Sequence, residues 1–199
     1  MKGMGRRERK AAETRLKLFR SALRLFAERG FQNVTVEDIT EAADVGKGTF
    51  FNYFKSKDHV LSVMAEIQLG KVRKAVDLAE EGKQPIRSVL HDLFLHITEE
   101  PGRSPDLARA LLTAFLSSAI RELLSRNMSE GRRMITRILE LGQKRGEIDL
   151  KLKTEQMALH LQQSFMGTML LWSLKGEAKL QPAVDASFQH FWRAVAAKD

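Results

Sequence analysis

Apolar residues recur along this chain at spacings of three and four, the signature of amphipathic helices. Leu16, Phe19, Leu23, Phe26 and Ala27 form one stripe on a first helix. Gly30 ends that helix, and Phe31 follows as the apolar companion of a glycine C-cap. Thr35 and Asp38 have the spacing of a capping box for a short second helix that buries Val36, Ile39, Ala42 and Ala43. Asp44-Val45-Gly46 breaks the run, and a third short helix spans roughly Lys47 to Phe54. Ser56 can cap a long fourth helix from Lys57 to about Glu81. Later breaks at 83–85, 99–105, 146–153 and 175–182 predict helices near 85–98, 106–117, 120–145, 154–174 and 182–197. No stretch sustains period-two alternation between hairpin turns. The pattern predicts an all-α chain of about nine helices. It divides into residues 1–58 and 59–199, with a flexible basic arm over 1–10.

Charge sharpens that division. Of 33 Lys and Arg and 25 Asp and Glu in 199 residues, 13 and 8 fall in residues 1–58, a net of +5. The remaining 20 and 17 leave only +3 for the rest of the chain. The excess of positive charge suits a polyanionic partner of the N-terminal part. Cysteine is absent, which excludes disulfides, thiolate metal sites and cysteine nucleophiles. The N-terminus lacks the apolar stretch of a signal peptide, and the longest apolar run, Phe165 to Leu174, is too short to span a bilayer. A cytoplasmic protein without a membrane partner is the expectation.

The segment from Thr35 to Phe54 is two short helices joined by a tight turn, the layout of a helix-turn-helix. Phe50 and Phe54 lie four apart and pack inward, which turns Lys47, Gly48, Phe51 and Asn52 outward. Lys47 near the helix start can meet phosphate, or stand as a solvated surface lysine. Gly48 lets the backbone come close to a groove. Asn52 can hydrogen-bond a base edge, adenine best, or a phosphate. Thr49 and Tyr53 can donate hydroxyls to phosphates. The basic residues Lys2, Arg6, Arg7, Arg9 and Lys10 either reach a minor groove or form a tail that adds nonspecific attraction.

The whole run from Gly30 to Asp58, GFQNVTVEDITEAADVGKGTFFNYFKSKD, resembles the DNA-binding domain of TetR/AcrR-family regulators. The resemblance covers about residues 14–61. It implies a three-helix helix-turn-helix DNA-binding domain, followed by a helical effector-binding and dimerisation domain. By position it assigns Lys47, Gly48, Thr49, Phe51, Asn52 and Tyr53 to the DNA-facing helix. It also puts Thr35 at the start of the preceding helix and makes Lys57 a phosphate contact. The chain departs from the family pattern at three places. Asp44 replaces the usual turn glycine, Gly46 a common Ser or Thr, and Phe51 a frequent tyrosine whose hydroxyl contact is thereby lost. A phenyl ring at 51 can still touch a thymine methyl.

The expected function is a ligand-responsive repressor that binds a palindromic double-stranded DNA operator as a homodimer. Two recognition helices about 34–36 Å apart read successive major grooves. Candidate dimer residues lie on the last two helices: Met157, Leu161, Thr168, Trp172, Val184, Phe188, Phe191, Trp192 and Val195, with Gly167 allowing close approach. Candidates for an effector pocket are Leu93, Phe94, Ile97, Phe115, Ile135, Leu139, Phe165, Met166 and Met169, with Gln162 and His91 as orienting polar groups. Such a Met- and Phe-rich set suits a small hydrophobic effector or plain core packing. His91 and His96 are five apart and do not share a helix face, so no metal site is expected. No cofactor and no catalytic residue is expected either, since no nucleophile–base order or phosphate-binding loop is present. The remaining alternatives are a helical small-molecule binder or enzyme without a DNA role, and a membrane-surface protein using the basic first helix.

Overall fold

The computed structural model describes residues 5–114, 120–175 and 179–197. Among these residues the chain forms nine α-helices: α1 (Arg6–Arg29), α2 (Val36–Ala42), α3 (Lys47–Phe51), α4 (Lys57–Glu81), α5 (Ile86–Thr98), α6 (Pro105–Ala114), α7 (Arg121–Lys144), α8 (Thr154–Lys175) and α9 (Leu180–Val195). Single 3₁₀ turns occupy Phe31–Asn33 and Pro101–Arg103. The one β feature among the described residues is an isolated bridge between Ile148 and Ala196, which ties the α7–α8 loop to the end of α9. No described helix is long and apolar enough to cross a membrane.

Local chemistry explains the first four elements. The apolar spacing of α1 buries Leu18, Phe19, Ala22, Leu23, Leu25 and Phe26. Leu16, expected on that face, stands exposed, because the buried stripe passes through Leu18 and Leu25 instead. The basic arm is also corrected: Arg6 to Lys10 are helical, so their side chains project from the first turns of α1. Glu8 supports this start by accepting from the Gly5 N–H at 3.0 Å. In α2 the capping box closes in both directions. The Asp38 N–H donates to Thr35 Oγ1 at 3.1 Å, and the Thr35 N–H donates to Asp38 Oδ2 at 2.7 Å. Asp44 then adopts φ 48°, the left-handed conformation that the helix-turn-helix corner needs, and its N–H caps Glu41 O at 2.9 Å.

Two cores divide the molecule. The head core gathers α1, α2, α3 and the first two turns of α4, where Val60, Leu61, Val63 and Met64 are buried. Leu107 of α6 and Ile120 and Leu124 at the start of α7 complete it. The body core is built from the rest of α4 with α5, α7, α8 and α9. The boundary expected after residue 58 therefore falls inside the first turn of α4, and one continuous helix serves both cores.

Six of the nine residues expected at a dimer interface are consumed by the body core. Met157, Leu161, Trp172, Val184, Phe188 and Val195 are all buried within the chain itself. The C-terminal half of α8 is largely apolar on every side, so periodicity does not separate its inward stripe from its outward one. The outward side of α8 carries Leu159, Leu170, Leu171 and Leu174. Thr168, Phe191 and Trp192 are half-buried.

Candidate nucleic-acid interface and interior cavity

Helix α3 is only five residues long, and packing behind it fixes its orientation. Phe50 and Phe54 are buried, with ring centroids 5.4 Å apart. The Arg15 guanidinium of α1 lies 5.9 Å from the Phe54 ring centroid. With those rings inward, Lys47, Gly48, Phe51 and Asn52 are exposed, while Thr49 and Tyr53 are half-buried. The helix stops at Phe51, earlier than expected, and Asn52 caps it, its N–H donating to Gly48 O at 3.2 Å.

Two exposed features lack an internal reason. A Cβ built at Gly48 would meet nothing within 4 Å, so packing within the chain does not require glycine there. Glycine inside a helix costs about 0.5–1 kcal/mol relative to alanine. Phe51 leaves half of its surface in solvent although it follows a fully buried Phe50. A backbone without a side chain beside a bare aromatic ring suits close approach to a large external surface.

The basic residues divide into two kinds. Lys47 Nζ pairs with Glu37 Oε1 of α2, and both side chains are exposed. That hydrogen bond holds the Glu37 carboxyl below its ordinary value. An exposed ion pair is weak, so Lys47 can exchange the carboxylate for a phosphate. Lys57, expected to contact phosphate, is engaged within the chain. Its ammonium donates to the carbonyls of Phe31 at 2.8 Å, Val34 at 3.0 Å and Gln32 at 3.4 Å, and sits 4.5 Å from the Phe31 ring centroid. An ammonium has three N–H donors, and these carbonyls take them. Lys57 clamps the α1–α2 connection onto α4. Thr35 is likewise engaged, its hydroxyl donating to Asp38 Oδ2 at 2.5 Å.

The family model for bacterial regulatory proteins of the tetR family matches residues 18–64, the segment that builds the head core. Over that segment the chain resembles the tetR family. Its curated relatives include the HTH-type transcriptional regulator TcmR of Streptomyces glaucescens, 37% identical over 91 residues, 44% of this chain and 38% of TcmR. The chain thus spans well under half the length of that relative. The HTH-type transcriptional repressor DhaR of Mycobacterium sp. (strain GP1) is 27% identical over 161 residues, 77% of this chain and 79% of DhaR. Among solved structures, the Thermus thermophilus repressor FadR, in complex with lauroyl-CoA, superposes with a TM-score of 0.65 at 24% identity over 93% of this chain and 96% of FadR. That likeness shows a shared fold that includes α5–α9.

The body holds a cavity of about 190 Å³ between α4, α5, α6, α7 and α8. Seven expected residues line it: Phe94, Ile97, Ile135, Gln162, Phe165, Met166 and Met169. Three others do not. Leu93 and Leu139 are packed into the body core, and His91 faces α9, where its Nε2 is 2.6 Å from Asp185 Oδ1. Phe115 lies outside the described residues. The sequence reading missed the α4 wall of Leu61, Met64, Gln68, Leu69 and Val72, and the α7 residues Leu124, Asn127 and Met128. Gln68 among apolar neighbours on α4 is the one signal for this wall in the sequence.

Proposed function

We propose that this chain is a ligand-responsive transcriptional repressor that binds a palindromic operator as a homodimer. A small, largely apolar effector in the body cavity releases it. The observation that carries this reading is the exposed face of α3, where Lys47, Gly48, Phe51 and Asn52 stand clear while Phe50 and Phe54 anchor them from behind. Lys47 meets phosphate, Asn52 meets a base edge, and Phe51 offers apolar contact to a thymine methyl.

One such short helix reads few base pairs, so a second copy is required. The outward leucines of α8 supply an apolar surface for it: Leu159, Leu170, Leu171 and Leu174 are 37–66% exposed. At Gly167 a Cβ would meet nothing within 4 Å, leaving room for a partner helix to approach. The alternative of a metal or catalytic role for the histidines finds no support in the bond of His91 to Asp185.

Release follows from the shared walls. Leu61, Met64 and Leu124 belong to the head core and also line the cavity. An occupant that displaces α4 therefore displaces the packing behind α3 and changes the half-site spacing. Coupling of about 1–3 kcal/mol changes operator affinity roughly 5–150-fold. FadR of Thermus thermophilus holds lauroyl-CoA, and the apolar lauroyl chain of that ligand is in keeping with an apolar effector here. The test is selection of bound duplexes from a random pool, followed by a thermal-shift screen of small molecules and a repeat of binding with each hit. A palindromic consensus whose affinity falls with a hit supports the reading. Absence of any selected duplex overturns it.

A further inference from the structure

The cavity is more specific than its apolar walls suggest. None of its lining residues among those described is ionisable. Only Gln68, Asn127 and Gln162 are polar. Gln162 is already engaged: its Oε1 accepts from Arg132 at 3.2 Å, and its Nε2 donates to Met128 O at 3.3 Å. Gln68 is half engaged. Its Nε2 donates to Ile97 O at 3.1 Å. A carbonyl can only accept, so this bond fixes which end of the amide faces Ile97. It leaves Gln68 Oε1 on the other side. Among the described residues, Gln68 Oε1 and Asn127 Nδ2 are the two buried side-chain polar atoms with no hydrogen-bond partner. Both belong to residues that line this cavity, one an acceptor on α4 and the other a donor on α7.

Buried unpaired polar atoms are rare because each forfeits its hydration without compensation. Two in one cavity mark a place where something from outside completes the bonding. Water can do so in the free protein. A ligand that displaces this water keeps its affinity only if it replaces both bonds. A charged ligand fares worse still. No lining side chain carries a counter-charge; Arg132 is not among the lining residues and meets the cavity wall by donating to Gln162 Oε1.

We propose that the cavity selects an uncharged, largely apolar ligand carrying at least one hydrogen-bond donor, for Gln68 Oε1, and one acceptor, for Asn127 Nδ2. Carboxamides, alcohols and un-ionised acids meet the requirement; carboxylates and ammonium ions do not. This rests on the reading of the cavity as the effector site.

Calorimetric titration of the full chain without DNA, at neutral pH, tests it with octanamide, octanoate and octylamine. Octanamide should bind about tenfold or more tightly than either ion. Gln68→Leu and Asn127→Leu should each weaken octanamide by about five- to tenfold and leave the weak ions unchanged. Asn127→Leu should not lower the melting temperature, because it removes an unpaired group; that separates lost recognition from misfolding. Equal binding of all three probes, or unaltered octanamide binding by both variants, overturns the ligand class while the cavity remains a binding site. No binding by any of them overturns the effector reading of the cavity and the ligand class together.

Discussion

The head and the body of this molecule solve opposite problems. In the head, polar groups near α3 are committed locally: Thr35 to Asp38, Lys57 to three carbonyls, Lys47 to Glu37. Its interior is closed, and what is left for function lies on the outside. In the body the interior itself is open, and the two unpartnered buried amide atoms among the described residues belong to side chains that line it. A surface reader needs a rigid scaffold whose packing is complete. A sensor needs a core left incomplete, so that a ligand can finish it. Helix α4 joins the two, with Leu61 and Met64 counted in both.

The strongest way to break this contrast is truncation of one aromatic ring in each region. Phe50→Ala should cost about 3–5 kcal/mol, because the residue is fully buried in a closed core. Phe165→Ala, at the cavity wall beside Phe94, should cost markedly less in a thermal melt, since it enlarges a space already present. Equal losses would mean that the two interiors are equally closed. Next in size is Lys57→Met, which strands carbonyls of the α1–α2 connection. A loss of about 1–3 kcal/mol should appear without DNA, with the salt dependence of DNA binding unaltered. A lysine acting on phosphate would show the reverse pattern. Smaller again is Glu37→Gln, which frees Lys47 and should tighten binding to all duplexes alike, as read by anisotropy at low salt.

The smallest effect is one of pH. The Asp38 carboxyl is held below its ordinary value of 3.8 chiefly by the hydrogen bond from the Thr35 side chain. Asp185 is held below the same value chiefly by the hydrogen bond from His91. Because both are lowered on folding, their stabilisation is present above pH 3.8 and fades as pH falls through the lowered values. Melts taken across that range should show a shallower acid decline for Asp38→Asn and Asp185→Asn than for the parent chain. An unchanged decline would remove both groups from the account.

Much of the head was legible because its determinants are local. A capping box, a left-handed Asp44 and two phenylalanines four apart each act over a few residues, and their order carried the family resemblance. The carbonyl partners of Lys57 lie 23 to 26 residues away, where spacing gives no guidance. The body helices were found within about two residues at most ends, since their periodicity is strong. Their facing was not. The C-terminal half of α8 is largely apolar on all sides, so no pattern along it says which stripe meets its own core and which faces outward. The cavity has the same difficulty, for an apolar residue that lines a void looks in sequence like one that fills it.

The central claim is that α3 enters a DNA groove with its phenylalanines as backing. A salt titration of binding to a selected operator and to an unrelated duplex, with Lys47→Ala and Asn52→Ala beside the parent chain, tests it most directly. Lys47→Ala should weaken both duplexes alike and lower the salt slope by about one, while Asn52→Ala should erode the preference for the operator. Unchanged affinity and slope in both variants would contradict the account, for it would place the contact with DNA somewhere other than on this helix.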